Sequence, residues 1–239
     1  MRILLTGSNG QLGRALRASL PATLGGERVE VIATARQPEP AQGVVGLDLT
    51  DPDACRAAVV AHQPDWVLNA GAYTAVDRAE AEPELAQAVN AGAPRAFAEA
   101  LAHISDCSRL LQISTDFVFR GEQAHPYRPE DPCNPMSAYG ASKAAGEQAV
   151  ADALGTANHA GLSSRATILR TGWVYGPVGH NFLITMLRLH HQKAANGRQR
   201  LFPGGVIQGA GEYQRQFQFV IQVAGVGGPV DTVALSGQI

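Results

Sequence analysis

Cysteine is scarce. Three thiols, Cys55, Cys107 and Cys133, are spread over 239 residues without a CxxC pair. So sparse and odd a set excludes a disulfide framework and a structural zinc site, and fits idle thiols in a reducing compartment. Charge of one sign is lacking too. Nineteen Lys+Arg against twenty-one Asp+Glu leave a net charge of -2. No basic excess draws nucleic acid, and no charge block draws a membrane surface. No stretch approaches the ~20 apolar residues of a spanning helix. The apolar run at residues 1–7 is too short for a signal peptide, so a soluble, cytoplasmic protein is expected. The seven histidines do not cluster, and His190 and His191 are adjacent rather than four apart. They read as solvated loop residues, and no metal site is expected.

An apolar fraction of 45% with 17% charged residues is globular. Ile3-Leu4-Leu5, stopped by Gly7, reads as a buried strand, and residues 11–20 carry leucines at helical spacing. The rhythm repeats. Strands are expected at 29–34, 66–69, 110–114 and 166–170. Helices are expected at about 52–62 (Pro52 in the first turn), 83–103 and 137–154. Near-continuous apolar strands alternating with helices imply an α/β fold, a Rossmann-like doubly wound parallel sheet. Ligands bind such sheets beyond the carboxyl ends of the strands. The expected division is a dinucleotide-binding domain over 1–175 and a reduced, partial substrate-binding region over 176–239, atypical from about 190. From His190 on there are nine glycines and eight glutamines against six charged residues. Periodicity weakens, and residues 225–229 suit no regular element. An odd or poorly ordered extension is expected there.

Gly7-Ser8-Asn9-Gly10-Gln11-Leu12-Gly13 links the first strand to the first helix. Glycines there allow a tight turn, close approach of a pyrophosphate and close helix–strand packing. The helix N-terminus adds N–H groups and a positive dipole end. The spacing is GxxGxxG, the variant typical of short-chain dehydrogenases. At the end of the second strand stand Thr34-Ala35-Arg36. The acid that bonds ribose hydroxyls in NAD sites is missing, and the Arg36 guanidinium suits a 2′-phosphate. NADP(H) is therefore expected ahead of NAD(H). The alternative for Arg36 is a solvated loop cation.

Tyr139-Gly140-Ala141-Ser142-Lys143 lies on the long helix, and positions four apart share a face. A phenol of pKa about 10 is a poor proton shuttle at neutral pH. An adjacent ammonium favours the phenolate, so a lowered phenol pKa is expected. Lys143 can also hold the nicotinamide ribose. Thr115, at the carboxyl end of the fourth strand, can donate to a carbonyl being reduced. Asp116 can bind sugar hydroxyls or merely cap the loop. Trp173 can pack against a sugar or base, or be core.

These residues together resemble one family, the dTDP-4-dehydrorhamnose reductases, extended short-chain dehydrogenases that act on a nucleotide sugar. The likeness runs from Met1 to about Leu189. It rests on the glycine loop, on Asn69-Ala70-Gly71-Ala72-Tyr73-Thr74-Ala75-Val76-Asp77, on residues 79–86 and on Asn90. It continues through Ser114-Thr115-Asp116-Phe117-Val118-Phe119, the Tyr139-to-Lys143 motif, Trp173-Val174-Tyr175 and residues 181–189. The resemblance implies hydride transfer from NADPH or NADH to the C4 ketone of dTDP-6-deoxy-L-lyxo-4-hexulose, giving dTDP-L-rhamnose. Tyr139 would be proton donor, Lys143 its electrostatic partner, and Thr115 the hydroxyl polarising the ketone. The carry-over gives Gly10, Gln11 and Leu12 to the pyrophosphate side, Asp48 and Leu49 to the adenine, and Ala70, Gly71 and Ala72 to the ribose-phosphate. Thr115, Asp116, Tyr139 and Trp173 would touch the sugar. The family position that is often acidic corresponds to Ala35, which again favours NADP.

The family also implies a Mg²⁺-linked homodimer, whose acids find no counterpart here. Its members continue well past residue 239 and carry a Gln-Gly-Pro-Thr-like pocket segment that residues from Gln199 onward do not match. The abrupt change predicts an altered reading frame or a truncation. Two alternatives stay open. One is a nucleotide-sugar epimerase or 4,6-dehydratase, although Phe117 follows Asp116 where a dehydratase has an acid. The other is a non-catalytic NADP-binding regulatory subunit resembling the methionine adenosyltransferase β subunit.

Overall fold

A computed structural model describes residues 1–155, 165–172, 174–176, 181–195, 217–219, 221–224 and 235–237. In chain order it holds β1 (Arg2–Thr6), α1 (Gln11–Ser19), a hairpin of β2 (Thr23–Leu24) and β3 (Glu27–Arg28), β4 (Glu30–Ala35) and β5 (Val44–Gly46). Then come α2 (Pro52–His62), β6 (Trp66–Asn69), α3 (Val76–Ala79), α4 (Pro83–Gln87), α5 (Ala93–Ile104), β7 (Arg109–Thr115) and α6 (Ala138–Leu154). The last elements are β8 (Ala166–Thr171), α7 (Phe182–Ala195), β9 (Phe217–Phe219), β10 (Ile221–Ala224) and β11 (Leu235–Gly237).

Seven strands form one sheet in the order β10-β8-β7-β6-β1-β4-β5. Six run parallel, and β10 pairs antiparallel with β8 at the edge. Strand side chains alternate between faces, and here both faces are covered, so the middles of the central strands are apolar on both sides, while buried polar residues such as Thr6, Asn69 and Thr115 stand at their carboxyl ends. Leu4, Val67 and Leu110 pack under α2, α5 and α6 with Cys55, Val59, Phe97, Leu101 and Val150, all fully buried. Ile3, Leu5 and Leu68 face the other way, against Leu16 and Leu20 around α1. Each such side chain contributes roughly 1.5–3 kcal/mol on burial.

Caps fix the helix starts. Asp51 accepts from the Asp53 and Ala54 amides ahead of Pro52, and Ser137 accepts from the Gly140 amide ahead of α6. The helix expected over 83–103 is interrupted by a π-turn at Ala88–Gly92. Pro94 explains it. A proline has no N–H for the carbonyl four residues back, which is that of Asn90. The displaced Asn90 carbonyl packs against α6 instead, where a Cβ on Gly146 would lie 2.1 Å from it.

In the described part of the tail two points differ from expectation. His190 and His191 continue α7 rather than sitting in a loop, and β10, drawn from the region read as an odd extension, completes the sheet. Residues 225–229 lie outside the described residues. Among the described residues no helix is long and apolar enough to cross a membrane.

Candidate active site

The carboxyl ends of β1, β4, β6 and β7 open towards two clusters of expected site residues. The first is built from backbone. Gly7 has φ +61°, a conformation that costs L-residues strain. Its Cβ would fall 2.6 Å from Gly71 Cα, and one on Gly13 would fall 2.1 Å from the Gly7 carbonyl oxygen. The turn is closed by Gly10 N–H donating to Gly7 O at 2.9 Å and anchored by Ser8 N–H donating to Thr34 O at 3.0 Å. Gly10 is the N-cap of α1, which has no side-chain cap and no acid in its first turn. Ser8 is fully buried, and its Oγ has no hydrogen-bond partner. A nine-residue helix with an uncapped positive end beside an orphaned hydroxyl suits an anion. The pyrophosphate of a dinucleotide fits that donor set.

Leu49 lies over Gly71, where a Cβ would come within 2.5 Å of Leu49 Cδ1. Ala70 and Ala72 flank it, half-buried. Leu12 is half-buried on α1, and Gln11 accepts a bond from Asn181 Nδ2 at 3.0 Å, tying the start of α7 to the loop. Arg36 and Asp48 are exposed at the edge of this corner. The Thr50 amide and hydroxyl hold the Asp48 carboxyl below its ordinary range, with the Arg36 charge acting the same way.

The second cluster is built from side chains. Gly140 lets α6 press against the turn after β7, since its Cβ would lie 2.3 Å from the Phe117 carbonyl oxygen. This brings the Tyr139 phenol beside the Thr115 hydroxyl. Thr115 Oγ1 donates to Asp116 Oδ1 at 3.0 Å and accepts from the Phe117 amide at 3.2 Å. The Phe117 ring meets Tyr139 edge-on at 5.8 Å. One turn further, Lys143 is 4% exposed and donates from Nζ to Ile113 O at 2.6 Å.

The electrostatics correct one expectation. Burial raises the Tyr139 phenol above its ordinary pKa, against the downward pull of the Thr115 hydrogen bond, and Asp116 raises it further. Lys143 does not lower it. Its ammonium is turned to the Ile113 carbonyl, and burial brings Lys143 itself down to about 8.

A buried hydrogen-bond chain joins the two clusters. Gly71 N–H donates to Thr6 Oγ1 at 3.0 Å, and Thr6 donates to Asn69 Oδ1 at 2.6 Å. Asn69 Nδ2 donates to Gln112 Oε1 at 2.7 Å, and Gln112 Nε2 to Ile113 O at 2.8 Å. That carbonyl is the acceptor of Lys143. Sequence reasoning gave no role to Ser8, Thr6, Gln112, Glu147 or Arg170. For Glu147 a signal existed, since it continues the 139, 143, 147 stripe of α6. Trp173 lies outside the described residues. Among the described residues no group of three His, Cys, Asp or Glu side chains could hold a metal ion.

The family model of the RmlD substrate binding domain matches residues 1–196. The chain is 42% identical over 188 residues to a dTDP-4-dehydrorhamnose reductase of Streptomyces griseus, covering 79% of this chain and 55% of that protein. It is 43% identical over 187 residues to a probable dTDP-4,6-dihydroxy-2-methyloxan-3-one 4-ketoreductase of Streptomyces antibioticus, covering 78% and 56%. A solved dTDP-4-dehydrorhamnose reductase of Bacillus anthracis, in complex with NADP, superposes with a TM-score of 0.65 at 33% identity, over 80% of this chain and 60% of that one. The chain thus spans a little over half the length of the curated relatives it matches.

Proposed function

Because the chain belongs to the family of the RmlD substrate binding domain, we propose that it carries the cofactor site and catalytic groups of a nucleotide-sugar 4-ketoreductase. The reaction is reduction of dTDP-6-deoxy-L-lyxo-4-hexulose to dTDP-L-rhamnose with NADPH. The observation that carries this reading is the Tyr139 phenol beside the Thr115 hydroxyl, one helical turn from a buried Lys143. The relatives that act on dTDP-sugars, and the one solved with NADP, support it.

The residues present fit a dinucleotide. Ser8 and the N-terminus of α1, from Gly10 to Gly13, would hold the pyrophosphate. Arg36 would meet a 2′-phosphate, Asp48 and Leu49 the adenosine, and residues 70–72 the ribose-phosphate. Reduced nicotinamide supplies a hydride when bound. Tyr139 then gives its phenolic proton to the carbonyl oxygen as that oxygen gains charge. A phenol raised by burial keeps its proton at neutral pH, which suits reduction. Thr115, once turned from Asp116, would donate to the same oxygen, and Lys143 would meet the phenolate left behind only by turning its ammonium from the Ile113 carbonyl. Asp116, exposed beside Thr115, is placed in this reading against the sugar hydroxyls, with Trp173. Residues 1–175 form the cofactor domain in this reading, and 176–239 the start of the substrate region. Mg²⁺ is given no step. Phe117 after Asp116 weighs against a dehydratase.

The test is oxidation of NADPH, followed at about 340 nm, with dTDP-6-deoxy-L-lyxo-4-hexulose generated in situ. Turnover should fall about 10³-fold in Tyr139→Phe, within the usual range for a general acid, with NADPH binding retained. Retained binding with no turnover in the unaltered chain would sink the reductase and favour a cofactor-binding regulatory subunit.

A further inference from the structure

Lysine is as scarce as cysteine. Of nineteen basic residues only Lys143 and Lys193 are lysines, and Lys143 is buried. One turn further along α6 sits Glu147, 5% exposed, and across from it on β8 sits Arg170, 7% exposed. Their pairing is bidentate. Arg170 Nη2 donates to Glu147 Oε2 at 2.6 Å, and Nε to Oε1 at 3.0 Å. Ser114 Oγ donates to the same carboxylate in a short bond. Arg170 is itself fixed. Its Nη1 donates to Pro129 O at 2.9 Å, and its guanidinium lies 4.9 Å from the centre of the Phe119 ring. It fixes an anion one turn along α6 from a lysine whose hydrogen-bond partner is a neutral carbonyl.

We propose that Glu147, held by Arg170 and Ser114, is a positioning residue whose carboxylate keeps the Lys143 ammonium charged next to Tyr139. The link to catalysis rests on the reading of Lys143 as the partner of Tyr139, while the charge relation stands without it. Three buried groups, Lys143, Glu147 and Arg170, carry one net positive charge. Arginine does not give up its proton. Once Glu147 is neutral, two cations share the pocket and only Lys143 can relieve the repulsion. The other titratable groups of this region are Tyr139, one turn before Lys143 on α6, Asp116 beside Tyr139, and Cys133, whose thiol meets Glu147 Oε2 at 3.9 Å and Arg170 Nη2 at 3.4 Å. Glu80 is spent on the Ala138 amide at 2.8 Å. Glu147 is the group that raises Lys143 against its burial.

Two lysines make the test direct. The full chain labelled with ¹³Cε-lysine gives two resonances, and Lys193→Arg assigns them. Lys143 should titrate at about 8 in the unaltered protein. In Glu147→Gln its midpoint should fall by about one pH unit or more, a roughly tenfold loss of charged to neutral ratio at pH 8. Glu147→Asp keeps the charge and should keep the midpoint near that of the unaltered protein. In Arg170→Gln, which releases the carboxylate from its anchor, the midpoint should fall as well. A purely structural pair would lower Tm in all three variants and leave the Lys143 midpoint in place, and that overturns the proposal. If Glu147→Gln does not fold, an unmoved or raised midpoint in Arg170→Gln overturns it as well. The alkaline limb of kcat/KM should move with the resonance. Absent turnover with the resonance responding as stated removes the reductase reading and leaves the charge relation intact.

Discussion

The two corners of the candidate site are made of different material. Around β1 the site is backbone, three glycines so close that a Cβ on any of them would lie within 2.6 Å of another atom. Around β7 it is side chain, with Lys143, Glu147 and Arg170 all under 10% exposed. The first corner is set by shape and holds or fails as a unit. The second is set by charge in a poorly solvated place, so it responds in degree, and to pH. The hydrogen-bond chain from Gly71 to Ile113 runs beneath both and fixes their separation.

The sharpest way to break the contrast is Gly13→Ala. The new Cβ would meet Gly7 O at 2.1 Å and Ser8 Cα at 2.6 Å, and both are backbone. Nothing flexible can yield, so the loop must shift. NADPH affinity should fall at least a hundredfold by calorimetry, about 3 kcal/mol, with a lower Tm. Binding within threefold of the unaltered chain would show that the loop is not limited by shape.

Lys143→Met examines the other corner. Lys143 is brought down to about 8 from 10.5 by burial, so the fold disfavours its charged form. That cost is present in full below pH 8, shrinks as pH rises to 10.5 and is absent above. Its size is about 3 kcal/mol. The variant should therefore lose roughly a hundredfold in turnover while melting higher than the unaltered protein at pH 7, with the advantage gone above pH 10.5. A variant that melts lower at pH 7 would mean that burial does not tax the lysine.

Arg36→Ala carries a smaller effect. Arg36 is exposed, so Tm should not move, and a charge-assisted bond to a phosphate contributes roughly 1.5–3 kcal/mol. The preference for NADPH over NADH, read from the two KM values, should drop at least tenfold. An unchanged preference would leave Arg36 a solvated loop cation.

The contrast also governs what the sequence discloses. Breakers mark strand ends, Gly7 after β1 and Pro64 before β6, and β1, β6, β7 and β8 lie within one residue of expectation. The glycine loop is legible because close backbone approach demands a missing side chain, which a sequence displays. The three-residue β5 is hidden in the connection between β4 and α2. The π-turn at Ala88–Gly92 arises from Pro94 together with Gly146, more than fifty residues later. The charge state of the second corner is less legible still. Tyr139 and Lys143 can be placed on one helix face by spacing, but the burial that raises one and lowers the other comes from packing between distant segments. Arg170, the partner of Glu147, comes from β8, 23 residues away.

One side chain does not fit the division, and it carries the smallest prediction. Ser8 lies in the backbone corner, fully buried, with an Oγ that bonds to nothing. An unsatisfied buried hydroxyl costs about 1–3 kcal/mol, and alanine would remove that cost without changing the turn. Its retention makes sense if the hydroxyl is held for a ligand oxygen. Ser8→Ala should then melt a few degrees higher without cofactor and bind NADPH severalfold more weakly, two effects of opposite sign. A hydroxyl that only fills space would leave affinity unchanged, and the anion site would then rest on the backbone and the end of α1 alone.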